Sequence, residues 1–109
     1  MEAFVNHDEI LATMVERIVD GFHPLRVILF GSHARGTARA DSDVDLLVVM
    51  PHLDNRRATT IAMRRALGDL PVCKDIVVTT PAEIDRKGGL GGNLLRPALH
   101  EGKVLYEQP

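Results

Sequence analysis

Asp43 and Asp45 stand two residues apart at the head of the run DVDLLVVM. In an extended strand alternate side chains share a face, so the two carboxylates can converge on one cation. Beyond Asp45 the run is apolar on both faces, with Leu47 and Val49 on the side of the acids and Val44, Leu46 and Val48 opposite. The acids therefore mark one end of a buried strand. Two close carboxylates repel each other, and a cation removes that repulsion. Mg²⁺ suits the donors, because it is a hard ion held by one or two carboxylates together with substrate phosphates. A bare Asp-x-Asp can equally be two acids open to water at a strand start, so the surrounding residues must decide.

Two further features bear on the same place. The apolar run Leu25 to Phe30 closes on Gly31-Ser32, and Asp43 follows after a polar, glycine-bearing segment, GSHARGTARADS at 31–42. Such a Gly-Ser corner should lie beside the acids. Glycine lets backbone N–H groups approach a phosphate closely, and the Ser32 hydroxyl adds a donor. One triphosphate could then bridge the corner and a metal on the acids. Asp75 is a third acid, set in VCKDIVVT at 72–79 among Ile76, Val77 and Val78. A charge in an apolar strand requires a partner. If the segment 54–69 is a crossover helix, the strands at 43–50 and 72–79 run parallel and start at the same end of the sheet. Asp75 then comes near Asp43 and Asp45. Its bland alternative is an ion pair with Lys74, although adjacent strand residues point to opposite faces.

The elements that must hold these residues are short. Ile10, Leu11, Met14, Val15, Ile18 and Val19 form one face of a helix over about 8–20, with Asn6 and Glu9 as its start and Gly21 as its end. Strands are expected at 25–30, 43–50 and 72–79. The helix at 54–69 has Ala58, Ile61, Ala62 and Ala66 as a weak inner face. Thr80-Pro81-Ala82-Glu83 reads as a capped helix start. GGLGG at 88–92 turns, a short helix occupies about 93–101, Gly102 ends it, and 103–106 forms an edge strand. The expected architecture is α/β (α+β), a mixed sheet of three to four strands flanked by helices, as a single domain over 1–109.

Composition narrows the partners. The chain has 109 residues, 45% of them hydrophobic, which is inconsistent with disorder. Three Phe, one Tyr and no Trp make the core aliphatic and leave little for stacking on single-stranded bases. A formal net charge of -2 does not favour direct nucleic-acid binding. The one cysteine, Cys73, is expected to be a buried thiol of a reducing compartment. No run approaches a membrane span, and the first ten residues do not read as a signal peptide, so the expected location is cytoplasmic.

The segment GSHARGTARADSDVDLLVV resembles the signature of the DNA polymerase β-like nucleotidyltransferase superfamily: Gly-Ser, ten residues, Asp-x-Asp, and a later third Asp. Ala-Arg-Gly after Gly-Ser, the Ser-Asp-x-Asp ending and the tail LHEGKVLYE are similar, more narrowly, to the minimal nucleotidyltransferases (the MNT family). The resemblance implies the polymerase β-like fold, two Mg²⁺ ions, and transfer of a nucleoside monophosphate, AMP from ATP. It implies that Gly31, Ser32 and Arg35 hold the nucleotide phosphates. Asp43, Asp45 and Asp75 would ligate metal as the catalytic residues, with Asp75 also helping to activate the attacking hydroxyl. It further implies a partner, a HEPN-type toxin whose hydroxyl is adenylylated by this chain as antitoxin. In a chain this short the acceptor contacts are expected from that partner. Neutralisation by binding alone, or transfer to a small molecule or an RNA end, are the alternatives.

Other polar residues weigh less. Arg39 is as readily a solvated loop residue as a phosphate neighbour. His33 reads as a surface residue, and His7, His23, His52 and His100 lack zinc-ligand spacing. Arg56, Arg57, Arg64 and Arg65 read first as a solvated helix face, and second as a docking surface for an acidic partner or an RNA.

Overall fold

The computed structural model describes residues 7–31, 43–86 and 102–109. Helix α1 (His7–Phe22) leads into strand β1 (Arg26–Phe30), followed by β2 (Val44–Val49), α2 (Arg56–Ala66), β3 (Lys74–Thr79), α3 (Pro81–Arg86) and β4 (Lys103–Glu107). The sheet order is β3-β2-β1-β4. β1 runs antiparallel to both β2 and β4. β2 and β3 are parallel, as a crossover through α2 requires. The mixed four-stranded sheet with flanking helices agrees with the expected class. The helix expected at 93–101 lies outside the described residues, as does Asn6.

Alternation along the strands splits the sheet into two faces. One carries Val27, Leu29, Val44, Leu46, Val48, Ile76 and Val78, packed with Met14 and Ile18 of α1 and with Met63 and Leu67 in and after α2. The other carries a smaller buried pair, Ile28 and Leu47, against Phe30 and Val77. Fully burying an aliphatic side chain contributes roughly 1.5–3 kcal/mol, so the first face supplies most of the cohesion.

Several expected details differ. α1 continues through Gly21 to Phe22, and His23 takes the left-handed turn (φ 54) that usually falls to glycine. Its N–H bonds the Val19 carbonyl at 3.1 Å, and Pro24 then prevents further helix. The inner face of α2 is Met63 with Leu67 just beyond, while Ala58 and Ala62 are exposed and Ile61 is 42% exposed. Two large side chains four apart bury more surface than scattered alanines, and they set the helix rotation. The side chain of Asn55 caps α2 by accepting from the Ala58 N–H at 3.0 Å. Thr80 does cap α3, its Oγ1 accepting from the Glu83 N–H at 3.2 Å. The Glu83 carboxylate turns elsewhere, accepting from Thr79 Oγ1 at 3.0 Å and pairing with Arg56. Cys73 is exposed, because it lies in the turn ahead of β3 and outside the sheet.

Candidate active site

Strand register builds the site. Phe30 on β1 pairs with Asp45 on β2, and Asp45 pairs with Asp75 on β3. Directly paired residues share a face, so these three form one row across the sheet. The next row is Ile28, Leu47 and Val77, which gives the acids an apolar floor. Asp43 immediately precedes β2 and is exposed. The row lies where β1 ends and where β2 and β3 begin. Parallel pairing of β2 and β3 thus brings Asp75 beside Asp45 although thirty residues separate them.

Gly31 closes the row on the β1 side. Its φ is +77, a conformation that side chains other than glycine's rarely adopt. A Cβ at this position would collide with Asp45 Oδ2 and would stand 3.3 Å from Asp45 Cγ. The Asp45 carboxylate therefore rests against the bare backbone of Gly31, as the sequence suggests. Ser32 and Arg35, together with His33 and Arg39, lie outside the described residues.

The partner of Asp75 differs from its expected alternative. Lys74 turns away, its Nζ donating to the Leu70 carbonyl at 3.1 Å and the Val72 carbonyl at 2.8 Å. Arg64, in the last turn of α2, reaches past the edge strand β3, and its Nη2 stands 3.5 Å from Asp75 Oδ1. Sequence reasoning missed this contact. The only signal was the recurrence of arginine along α2. Arg56 is likewise held, by Glu83, whereas Arg57 and Arg65 are exposed and without an ion pair among the described residues.

The donor set fits a hard divalent cation. Asp45 and Asp75 are in register on one face, Asp43 stands one alternation ahead, and two carboxylates with phosphate oxygens suffice for Mg²⁺. Among the described residues no three His, Cys, Asp or Glu side chains converge tightly enough to hold an ion unaided. Phosphate oxygens would have to complete the shell. A second concavity, about 610 Å³ between α1 and β4, is lined by Leu11, Val15, Val19, Leu29, Leu105 and Tyr106 among others. Glu16, Asp20 and Lys103 also line it, and it sits on the face of the sheet opposite Asp45 and Asp75. Among the described residues no helix is long and apolar enough to cross a membrane.

Known proteins resemble this chain in sequence and in fold. A Methanocaldococcus jannaschii protein with the provisional name of protein adenylyltransferase is 48% identical over 50 residues, 46% of this chain and 33% of that one. The chain thus spans about a third of the length of that relative. A nucleotidyltransferase structure from Sulfolobus solfataricus superposes with a TM-score of 0.64 at 22% identity, covering 92% of this chain and 79% of that one. The structure of a minimal nucleotidyltransferase gives 0.58 at 28% identity, covering 94% and 98%. A toxin-antitoxin complex with AMP-PNP contains a similar fold, with a TM-score of 0.60 at 24% identity, covering 95% and 75%. The nucleotidyltransferase domain model matches residues 9–105, which take in β1, β2, β3, the first part of β4, Gly31-Ser32 and all three acids, and the chain belongs to that family.

Proposed function

We propose that this chain, acting as a single domain over 1–109, transfers a nucleoside monophosphate, AMP from Mg²⁺-ATP, to a hydroxyl of a partner protein. The observation that carries this reading is the row Asp45–Asp75 with Gly31 packed bare against Asp45. Phosphates need closely approachable backbone and the metal needs carboxylate donors, and Gly31 lies beside the in-register pair Asp45 and Asp75.

In this reading Gly31 and Ser32 receive the phosphates, and Arg35 offsets their charge. Asp43, Asp45 and Asp75 hold the metal. Bound Mg²⁺, as two ions, would neutralise charge on the attacking and leaving oxygens. The acceptor oxygen forms a bond to the α-phosphorus as the bond to the bridging oxygen breaks, and pyrophosphate leaves with the electron pair. Asp75, at the sheet edge, takes the hydroxyl proton and passes it to water. Orientation and fixed charge provide most of the acceleration.

The acceptor is proposed to be a HEPN-type toxin, with this chain as antitoxin. Support comes from the likeness of GSHARGTARADSDVDLLVV to minimal nucleotidyltransferases, and from the toxin-antitoxin context of a similarly folded structure. That second support also favours a reading in which binding alone neutralises the toxin. Calorimetric titration of ATP should show binding that depends strongly on Mg²⁺, and equal affinity with and without the ion would exclude the shared site. The acceptor is tested by incubating a purified HEPN-type toxin with ATP, Mg²⁺ and this chain, then weighing it. A nucleotidyl mass increment, lost with Asp45→Asn, is expected. No increment, with Asp45→Asn still neutralising at equal stoichiometry, would replace the enzyme by the masking module.

A further inference from the structure

We infer that Arg64 is a built-in counter-ion of the metal site, a positioning residue that holds the Asp75 carboxylate at the sheet edge until a divalent cation displaces it. The inference rests on the metal reading above and concerns how that site is controlled. Two observations carry it. Register sets Asp75 directly beside Asp45, where like charges across neighbouring strands oppose pairing. Yet among the described residues no triad of acids is gathered around a common point, and Asp75 Oδ1 faces Arg64 Nη2 at 3.5 Å instead.

The chemistry of the pair suits exchange. The contact is a single one, with side-chain exposures of 56% and 60%, so it is weak enough to break. Arg64 and Mg²⁺ compete for the same carboxylate, which the arginine meets through Oδ1. The released side chain has room, because Arg64 also lines an open concavity of about 590 Å³ with Arg56, Arg57, Thr60 and Ile61. The third acid is then available only when the cation outcompetes the arginine. ATP favours that outcome by bringing phosphate ligands to the same ion. Arg64 would thus suppress occupancy by metal alone and favour loading as metal-nucleotide.

The experiment is Mn²⁺ binding, read as free Mn²⁺ by electron paramagnetic resonance, with and without ATP. The proteins are the wild type, Arg64→Gln, Arg65→Gln, Asp75→Asn and the Arg64→Gln/Asp75→Asn double variant, each checked for folding by circular dichroism. An exposed ion pair corresponds to about a 1.5- to 5-fold change in affinity. Arg64→Gln should tighten Mn²⁺ binding without ATP by that factor, and by less with ATP. Arg65→Gln removes the same formal charge one position along and should change little. In the Asp75→Asn background the Arg64→Gln gain should vanish. The inference is overturned if Arg64→Gln leaves affinity unchanged or weakens it. It is equally overturned if Arg65→Gln matches the gain, or if the gain survives in Asp75→Asn, since either result would reduce Arg64 to part of the general field. Should the wild type bind no Mn²⁺ even with ATP, the metal reading fails first and takes this inference with it.

Discussion

On the helical face of the sheet, Val44, Leu46 and Val48 are fully buried beneath Met14, Ile18 and Met63. On the opposite face the same strand carries Asp45 ahead of Leu47, with Asp43 just before its first residue. The ion pairs repeat the contrast. Arg17 binds Asp69 through two nitrogens, at 2.5 and 3.2 Å, and also donates to the Ala66 carbonyl at 2.9 Å, tying α1 to the end of α2. Arg64 meets Asp75 through one contact at 3.5 Å. A fork held by three acceptors is fixed, whereas one long contact is exchangeable. The faces thus divide cohesion from chemistry, and a residue's value can be judged from its side of the pleat.

Core truncation gives the largest expected effect on that comparison. Leu46→Ala should lose about 2.7–5 kcal/mol, because it removes a fully buried side chain and leaves a cavity. At roughly 4–8 °C per kcal/mol, the melting temperature should fall by more than about 10 °C. Asp43→Asn, just ahead of the same strand, should melt no lower than wild type without metal, since it only removes an exposed charge near other acids. A comparable loss from both substitutions would dissolve the division. Gly31→Ala comes next. It places a β-carbon at positive φ and against Asp45 Oδ2, so it should cost about 1–3 kcal/mol and weaken Mg²⁺-dependent ATP binding as well. Gly21→Ala supplies the contrast. Nothing lies within 4 Å of its added carbon and the position is helical, so thermal melts should show a gain of roughly 0.5–1 kcal/mol.

Alternation and spacing made the strands, the parallel β2–β3 pairing and the adjacency of Gly31, Asp45 and Asp75 legible in the residues themselves. Period-2 patterns leave little freedom when one register buries Val44, Leu46 and Val48 and any one-residue slip buries Asp45. Helix α2 was less legible. Its alanines occur at several phases and do not select a face, whereas Met63 and Leu67 do so only through the tertiary contact they make with the sheet. The Arg64–Asp75 contact depends on β3 being an edge strand that a helix side chain can reach around, and no local pattern encodes that. Cys73 was misplaced because an apolar neighbourhood in sequence spans the boundary between a turn and a strand.

The smallest expected effect tests the fixed ion pair by pH. The hydrogen bond from Arg17 holds the Asp69 carboxyl below its ordinary value, helped by a backbone hydrogen bond of Asp69 itself and by the charge of Arg17. The same hydrogen bond raises Arg17 above an already high value, so Arg17 stays charged wherever the fold is stable. A carboxyl whose folded value is depressed binds a proton less readily folded than unfolded. Its stabilisation is therefore complete above the ordinary aspartate value of about 4, and it is lost as pH falls through the lower folded value. Both side chains are solvent-exposed, so salt should weaken the effect and its size should stay below that of Gly31→Ala. The measurement is the melting temperature of wild type and Asp69→Asn from neutral pH downward. The gap between them should be constant until the ordinary aspartate range and close below it. If the gap instead stays constant to the lowest pH at which the fold persists, the charge on Asp69 contributes nothing. The tie between α1 and α2 would then reside in the Arg17 bond to the Ala66 carbonyl alone.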